Sequence, residues 1–205
     1  MSTQTTSRRP KLLLAAAALG GLGLGVLTVI GQKALPDTVT GVANSGVVWA
    51  FVAFVAGAFA ATDLVAAVVG AEVLLGAVIG YYASVPILVE GAAANVRSVV
   101  IWGIVAVTGG PAVGVAGRWW GSDSRSKRLL ASGIAGGAFA GEGLRRFTIE
   151  PPDVALGWAM LAVGLLIPLV RPQPWRDRLA AIALLAVAVI GITAVFWLID
   201  AVFAA

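Results

Sequence analysis

Two carboxylates stand where carboxylates are costly. Glu72 lies about nine residues into one apolar run, and Glu142 lies near the end of another. A charge at such depth is a functional candidate by default, because it calls for a cavity, a cation or a proton to be tolerated. The chemistry open to it is the lining of a polar cavity, the binding of a cation or solute, or proton exchange in a transport cycle. The competing reading is structural: Glu142 has Arg145 and Arg146 at i+3 and i+4, the spacing of an ion pair on one helix face. The functional reading is favoured for Glu72 and the structural one for Glu142. Asp200 closes the last apolar run at its water boundary and is expected to be solvated.

Four neutral groups join the candidates. Asn44 and Ser45 precede an apolar run, where they can contact a ligand at its mouth or simply cap a helix. Tyr81 and Tyr82 can meet a substrate through cation–π contact or stand in an interfacial aromatic belt. Enzymatic chemistry is not expected. The chain has no histidine and no cysteine, which removes imidazole bases, thiolates and the usual soft metal ligands. It carries no G-x-S-x-G elbow, zinc motif or phosphate loop. A pair of acids working as in an aspartic protease requires both at one place, and the two glutamates fall at different depths. No cofactor or metal is implied.

The elements that must position these residues are membrane helices. Apolar residues make up 60% of the 205 positions and charged residues only 12%, about half the charge of an ordinary soluble domain. The apolar residues come in successive runs close to the roughly 20 residues that span a bilayer. The expected fold is all-α, a polytopic transmembrane helical bundle of about seven spans, preceded by a disordered basic tail over residues 1–11. The transmembrane domain covers residues 12–205. Its spans run from Leu12 to Ile30, Val47 to Ala61, Leu64 to Ala83, Ser98 to Gly117, Leu129 to Leu144, Val154 to Val170 and Leu179 to Ile199.

Local signals refine this outline. The stretch Gly31 to Gly46 is rich in turn formers and reads as a loop, whereas Thr62 and Asp63 serve as turn and N-cap of the third span. Gly109-Gly110-Pro111 is expected to break the fourth span. Glycines recur every four residues at Gly21 and Gly25, at Gly76 and Gly80, and at Gly133, Gly137 and Gly141. Such stripes let membrane helices approach closely.

Orientation follows from the basic residues. Ten of the 14 fall in the N-terminal tail, the 118–128 loop and the 171–178 turn, and four fall on the opposite side. Lysine and arginine concentrate in cytoplasmic loops, so the N-terminus is expected inside and the C-terminus outside a bacterial plasma membrane. Trp49, Tyr81, Tyr82, Trp102, Trp158 and Trp197 then lie near the outer boundary. A faint internal repeat aligns Trp49 on Trp102, which also pairs Ser45 with Ser98 and Gly57 with Gly110; Trp158 opens a third, weaker copy. On that alignment the bundle is one leading helix plus three helical hairpins.

The order N-S-x-x-x-W (Asn44 to Trp49), G-Y-Y (Gly80 to Tyr82), G-G-P-x-x-G (Gly109 to Gly114) and G-E-G (Gly141 to Gly143) resembles an actinobacterial family of uncharacterised small multipass membrane proteins. That resemblance implies a location and no reaction. In size the chain is also similar to the substrate-binding subunits of energy-coupling-factor vitamin transporters, an analogy of architecture alone. The expected function is a small-solute transporter or solute-binding membrane subunit, with Glu72, Glu142, Asn44 and Tyr81 as the binding residues. The rival is a non-transporting scaffold or assembly partner. Expected partners are the lipid bilayer, a small solute or cation, and another membrane protein or a second copy; nucleic acid is not among them.

Overall fold

A computed structural model describes residues 5–149, 152–170 and 174–204, with side chains from residue 11 onward apart from 37–39. Among these residues every regular element is a helix: α1 (Thr5–Ala34), α2 (Asp37–Ala43), α3 (Gly46–Ala58), α4 (Asp63–Leu88), α5 (Val96–Trp120), α6 (Arg125–Arg145), α7 (Val154–Val170) and α8 (Trp175–Ala204). The large side chains left exposed include Leu19, Phe51, Ile79, Ile104, Ile190 and Trp197. An apolar surface of that extent belongs in lipid.

Each of the seven expected spans coincides with a helix. Four helices are long and apolar enough to cross a membrane: α1 from Lys11, α4, α5 and α8. The helices α3 and α7 are apolar but shorter, at 13 and 17 residues. At 1.5 Å per residue a 13-residue helix is about 20 Å long, less than the roughly 30 Å hydrocarbon core. The first turn of α6 carries Arg125, Lys127 and Arg128, so its apolar part is shorter than the helix. The count of crossings is thus at least four by length.

Two local expectations are revised, and the expected tail is described only in part. Residues 1–4 of the expected tail lie outside the described residues, and from Thr5 the chain is already helical and continuous with α1. The turn-rich segment after Ile30 is only partly a loop, since α1 continues to Ala34 and α2 occupies Asp37–Ala43. The Gly109-Gly110-Pro111 segment does not break its helix: α5 runs through it, with Pro111 inside. A proline removes one intrahelical bond, and tight packing by neighbours sustains such a helix in a membrane. Here a Cβ on Gly110 would stand 2.7 Å from the Ala71 Cα, so the α5 backbone lies directly on α4.

Contacts divide the chain into two compact units, Met1–Arg118 and Trp119–Ala205. The first is organised on α4. Helix α1 runs parallel to it, with Gly21 against Val73 and Gly25 against Ala77. The fit is backbone to backbone: a Cβ on Gly25 would lie 2.2 Å from the Ala77 carbonyl oxygen, and one on Gly80 would lie 2.2 Å from the Leu22 oxygen. Ala17, Val69, Val73, Leu74 and Val78 form the buried core of this seam, joined by Ala53 and Ala106 from α3 and α5. The α3–α4 turn is capped as the sequence suggests, because the Val65 N–H donates to Thr62 Oγ1 at 3.2 Å. The end of α5 is tied to this turn by Arg118, whose Nε donates to Asp63 at 2.8 Å and whose Nη1 donates to the Ala60 carbonyl at 2.7 Å.

The second unit is organised on α6. Gly133, Gly137 and Gly141 meet Leu184, Ala188 and Ile192 of the parallel helix α8. Gly136 and Gly143 meet Gly164 and Gly157 of the antiparallel helix α7. Both ends of the α6–α8 seam carry ion pairs, Arg125–Asp177 at 2.6 Å and Arg145–Asp200 at 2.6 Å. The hydrogen bond that Arg125 donates to Asp177 holds its guanidinium above its ordinary pKa.

Candidate functional site

The four residues chosen from sequence separate into two that meet and two that do not. Asn44 and Tyr81 line one cavity of about 140 Å³ within the first unit. The cavity lies where the start of α3, the last third of α4 and the first turns of α5 converge. Ser45 and Gly46 supply its polar wall beside Asn44, and Trp49, Tyr82 and Trp102 complete its aromatic wall with Tyr81.

Each ring is held by its surroundings. Trp49 turns its Nε1–H away to Thr28 Oγ1 at 2.9 Å, and the Thr28 hydroxyl donates in turn to the Leu24 carbonyl at 2.9 Å. This short chain fixes the indole from α1. The Tyr82 hydroxyl is hydrogen-bonded to the Ser98 side chain at the start of α5. The Trp49 and Tyr81 rings are 6.0 Å apart and inclined at 59°, and Tyr81 and Tyr82 are 5.0 Å apart at 84°. None of these pairs stacks flat, so the rings form walls at angles to each other.

The polar wall is less satisfied than the aromatic one. Ser45 stands at the N-cap of α3 with extended backbone, yet its hydroxyl makes no capping bond. Its side chain is 1% exposed and its Oγ has no hydrogen-bond partner among the described residues. An unpaired buried hydroxyl costs about 1–3 kcal/mol. It sits at the head of α3, where the Val48 N–H turns back to the Ser45 carbonyl at 3.2 Å.

Glu72 does not line this cavity. It occupies the least buried stripe of α4, with Leu64 75%, Val68 40% and Ile79 50% exposed above and below it, and its Oε2 has no partner among the described residues. Glu142 is 5% exposed and accepts from Arg146 Nη2 at 2.7 Å, the i+4 pairing of the structural reading. Arg145 turns elsewhere, to Asp200, through two hydrogen bonds of 2.6 and 3.0 Å. Asp200 is therefore bonded across helices and not merely solvated.

Sequence reasoning placed Trp49, Tyr82 and Trp102 in a belt at the membrane boundary. The structure gathers them with Tyr81 around a cavity. One signal pointed there, namely the weak repeat pairing Ser45 with Ser98 and Trp49 with Trp102. All four of these residues line the cavity or bond a residue that does.

Long apolar helices, apolar outer surfaces and an all-helical fold define a polytopic helical membrane protein. A family model described as a family of unknown function, DUF6518, matches residues 4–202, so the chain belongs to that family. No curated protein and no solved structure matches it.

Proposed function

We propose that the protein is a solute-binding membrane protein, a transporter or the binding subunit of one, and that its site is the aromatic cavity of the first unit. The observation that carries this reading is the cavity itself, about 140 Å³ and walled by Trp49, Tyr81, Tyr82 and Trp102 with Asn44 and Ser45 beside them. The binding residues are Asn44, Ser45, Trp49, Tyr81, Tyr82 and Trp102. Glu142 belongs to an internal ion pair.

The site's orientation is part of the proposal. With the basic asymmetry of ten to four the N-terminus is cytoplasmic, the C-terminus is outside, and the start of α3 faces outward. Reporter fusions to both termini check this, and the same compartment at both ends overturns it.

The main test is thermal stabilisation of the purified protein across a panel of small metabolites, since a ligand that binds only the native state raises its stability by mass action. A stabilising solute whose effect disappears in Trp102→Ala supports the reading. A second reading, a scaffold for another membrane protein, is favoured by Glu72, whose carboxylate interrupts the apolar outer stripe of α4. A panel without hits, together with a larger assembly that Glu72→Leu dissociates, selects that alternative.

A further inference from the structure

The two ends of the second unit differ in charge. Segments 119–128 and 171–178, which lead into α6 and α8, hold six basic and two acidic residues, whereas segment 142–153 with Asp200, at the other end, holds two basic and four acidic ones. At the acidic end both arginines have carboxylates, since Arg145 pairs with Asp200 and Arg146 with Glu142. At the basic end Asp177 is taken by Arg125. Arg128 donates to the Ser122 and Asp123 carbonyls at 3.0 and 2.6 Å. Arg176 and Arg178 are both exposed and have no carboxylate partner among the described residues. The Arg176 guanidinium lies 5.7 Å from the centroid of the exposed Trp175 ring. Between Val170 and Pro174 the sequence adds Arg171 and no acid. Helix stability does not account for these cations, because the first turns of α6 and α8 favour negative charge.

A membrane can supply the missing anion at this depth. The stretch of α8 from Leu179 to Ile199 carries no charge and rises roughly 30 Å at 1.5 Å per residue, the thickness of a hydrocarbon core. Arg176 and Arg178 therefore stand within a turn of its edge, at the level of headgroup phosphates. From Arg176 an exposed apolar stripe continues down the helix at helical spacing, through Leu179, Ala183, Val187 and Ile190. A cation, a boundary tryptophan and an apolar track leading away from them fit an amphiphile with an anionic head. A free phosphate meets the cation and leaves the track unused. A zwitterionic lipid brings its own cation to an end that already has an excess of them. We propose that the second unit docks anionic phospholipid at this end, with Arg176 and Arg178 donating to headgroup phosphates on either side of Asp177 and an acyl chain lying along the stripe below Arg176. Arginine suits the contact because its planar fork gives one phosphate two hydrogen bonds. The contact is independent of the cavity in the first unit.

The test uses the full chain in detergent micelles, with melting temperature and native mass spectrometry of retained lipid as readouts. The probes are phosphatidylglycerol as the anionic lipid, phosphatidylcholine with the same acyl chains as the zwitterionic one, and inorganic phosphate as the free anion. Phosphatidylglycerol is expected to be retained and to raise the melting temperature, and phosphatidylcholine to bind about tenfold or more weakly. Arg176→Gln and Arg178→Gln should each weaken phosphatidylglycerol about fivefold, and the double variant about 25-fold. Neither touches the Arg125–Asp177 pair. The double lysine variant, Arg176→Lys with Arg178→Lys, keeps the basic count that orients the chain and should recover part of the loss, which guards against misfolding or inverted insertion as an explanation. Lys11→Gln removes a cation from the start of a membrane helix in the first unit and should change retention by about twofold or less. Phosphatidylcholine binding as tightly as phosphatidylglycerol overturns the proposal, as does full retention by the double glutamine variant. Lys11→Gln costing as much as either arginine variant overturns it in favour of bulk attraction. Equal stabilisation by inorganic phosphate overturns the lipid as the source of the phosphate.

Discussion

The two units solve one packing problem with different materials. Each is built on a pair of parallel helices that are not neighbours in sequence, α1 with α4 and α6 with α8, and each pair closes along glycines spaced four apart. In the first unit the glycines abut backbone atoms, as Gly25 does at the Ala77 oxygen. In the second they abut side chains, namely the Leu184 and Ala188 Cβ atoms and the Ile192 Cγ2. Charge is also distributed differently. The α6–α8 seam has an arginine–aspartate pair at each end and a buried Glu142–Arg146 pair beside one of them. In the first unit Asp63 pairs with Arg118 at one end, and the cavity lies at the other. Each unit also holds a buried hydroxyl with no hydrogen-bond partner among the described residues, Ser45 in the first and Ser132 in the second.

The comparison breaks most sharply at the glycines. Gly25→Val should abolish recovery of folded protein, because its Cβ meets immovable backbone from two residues of α4 at 2.2 and 2.4 Å. Gly141→Ala meets the Ile192 Cγ2 at 2.8 Å and Cβ at 3.1 Å, and with no backbone atom of α8 among these contacts a small shift relieves them. Its expected cost is about 1–3 kcal/mol, the ordinary range of overpacking, and yield and melting temperature in detergent separate the two variants. If both substitutions cost the same, the distinction between backbone and side-chain seams is wrong.

The ion pairs give the smaller effect. Arg146→Met leaves Glu142 buried without its guanidinium, since the two side chains are only 13% and 7% exposed; about 3 kcal/mol is expected, as for other broken buried pairs. Asp63→Asn acts on a pair exposed by 42% and 34% and should cost about 1 kcal/mol or less. Combining Arg146→Met with Glu142→Gln should recover most of the first loss. Equal costs for the two single variants would show that the second unit is no more dependent on its charges than the first.

How much of this the sequence held depends on the range of each interaction. Thr62 capping α4 and Glu142 reaching Arg146 span three or four residues, and their spacing alone predicts them. The glycine stripes announced close helices, although a stripe does not name its partner: Gly21 meets Val73, and Gly133 meets Leu184. Gly109-Gly110-Pro111 misled because proline's local preference was outweighed by the packing of Gly110 on α4. The cavity was the least legible feature. It needs α3, α4 and α5 to converge, and its tryptophans and tyrosines have the same composition and position as a membrane-boundary belt. Glu72 drew notice because it is charged, and Ser45 was a candidate whose plainer reading was a helix cap. The cap is in fact not made, which only the fold displays.

The parallel seam of α1 and α4 also sets a schedule. Gly21 and Gly25 have no α4 to pack against until Val73 and Ala77 exist, about fifty residues further along the chain. At the ordinary pace of about 5–20 residues per second, that is a wait of roughly 3–10 s on the ribosome. During it α1 must stay in the bilayer or the insertion machinery with its glycine face uncovered. The same delay recurs between α6 and α8, whose partners lie equally far apart in sequence. Neither seam can close while its first helix is being made, so each unit is completed only when its last parallel helix arrives.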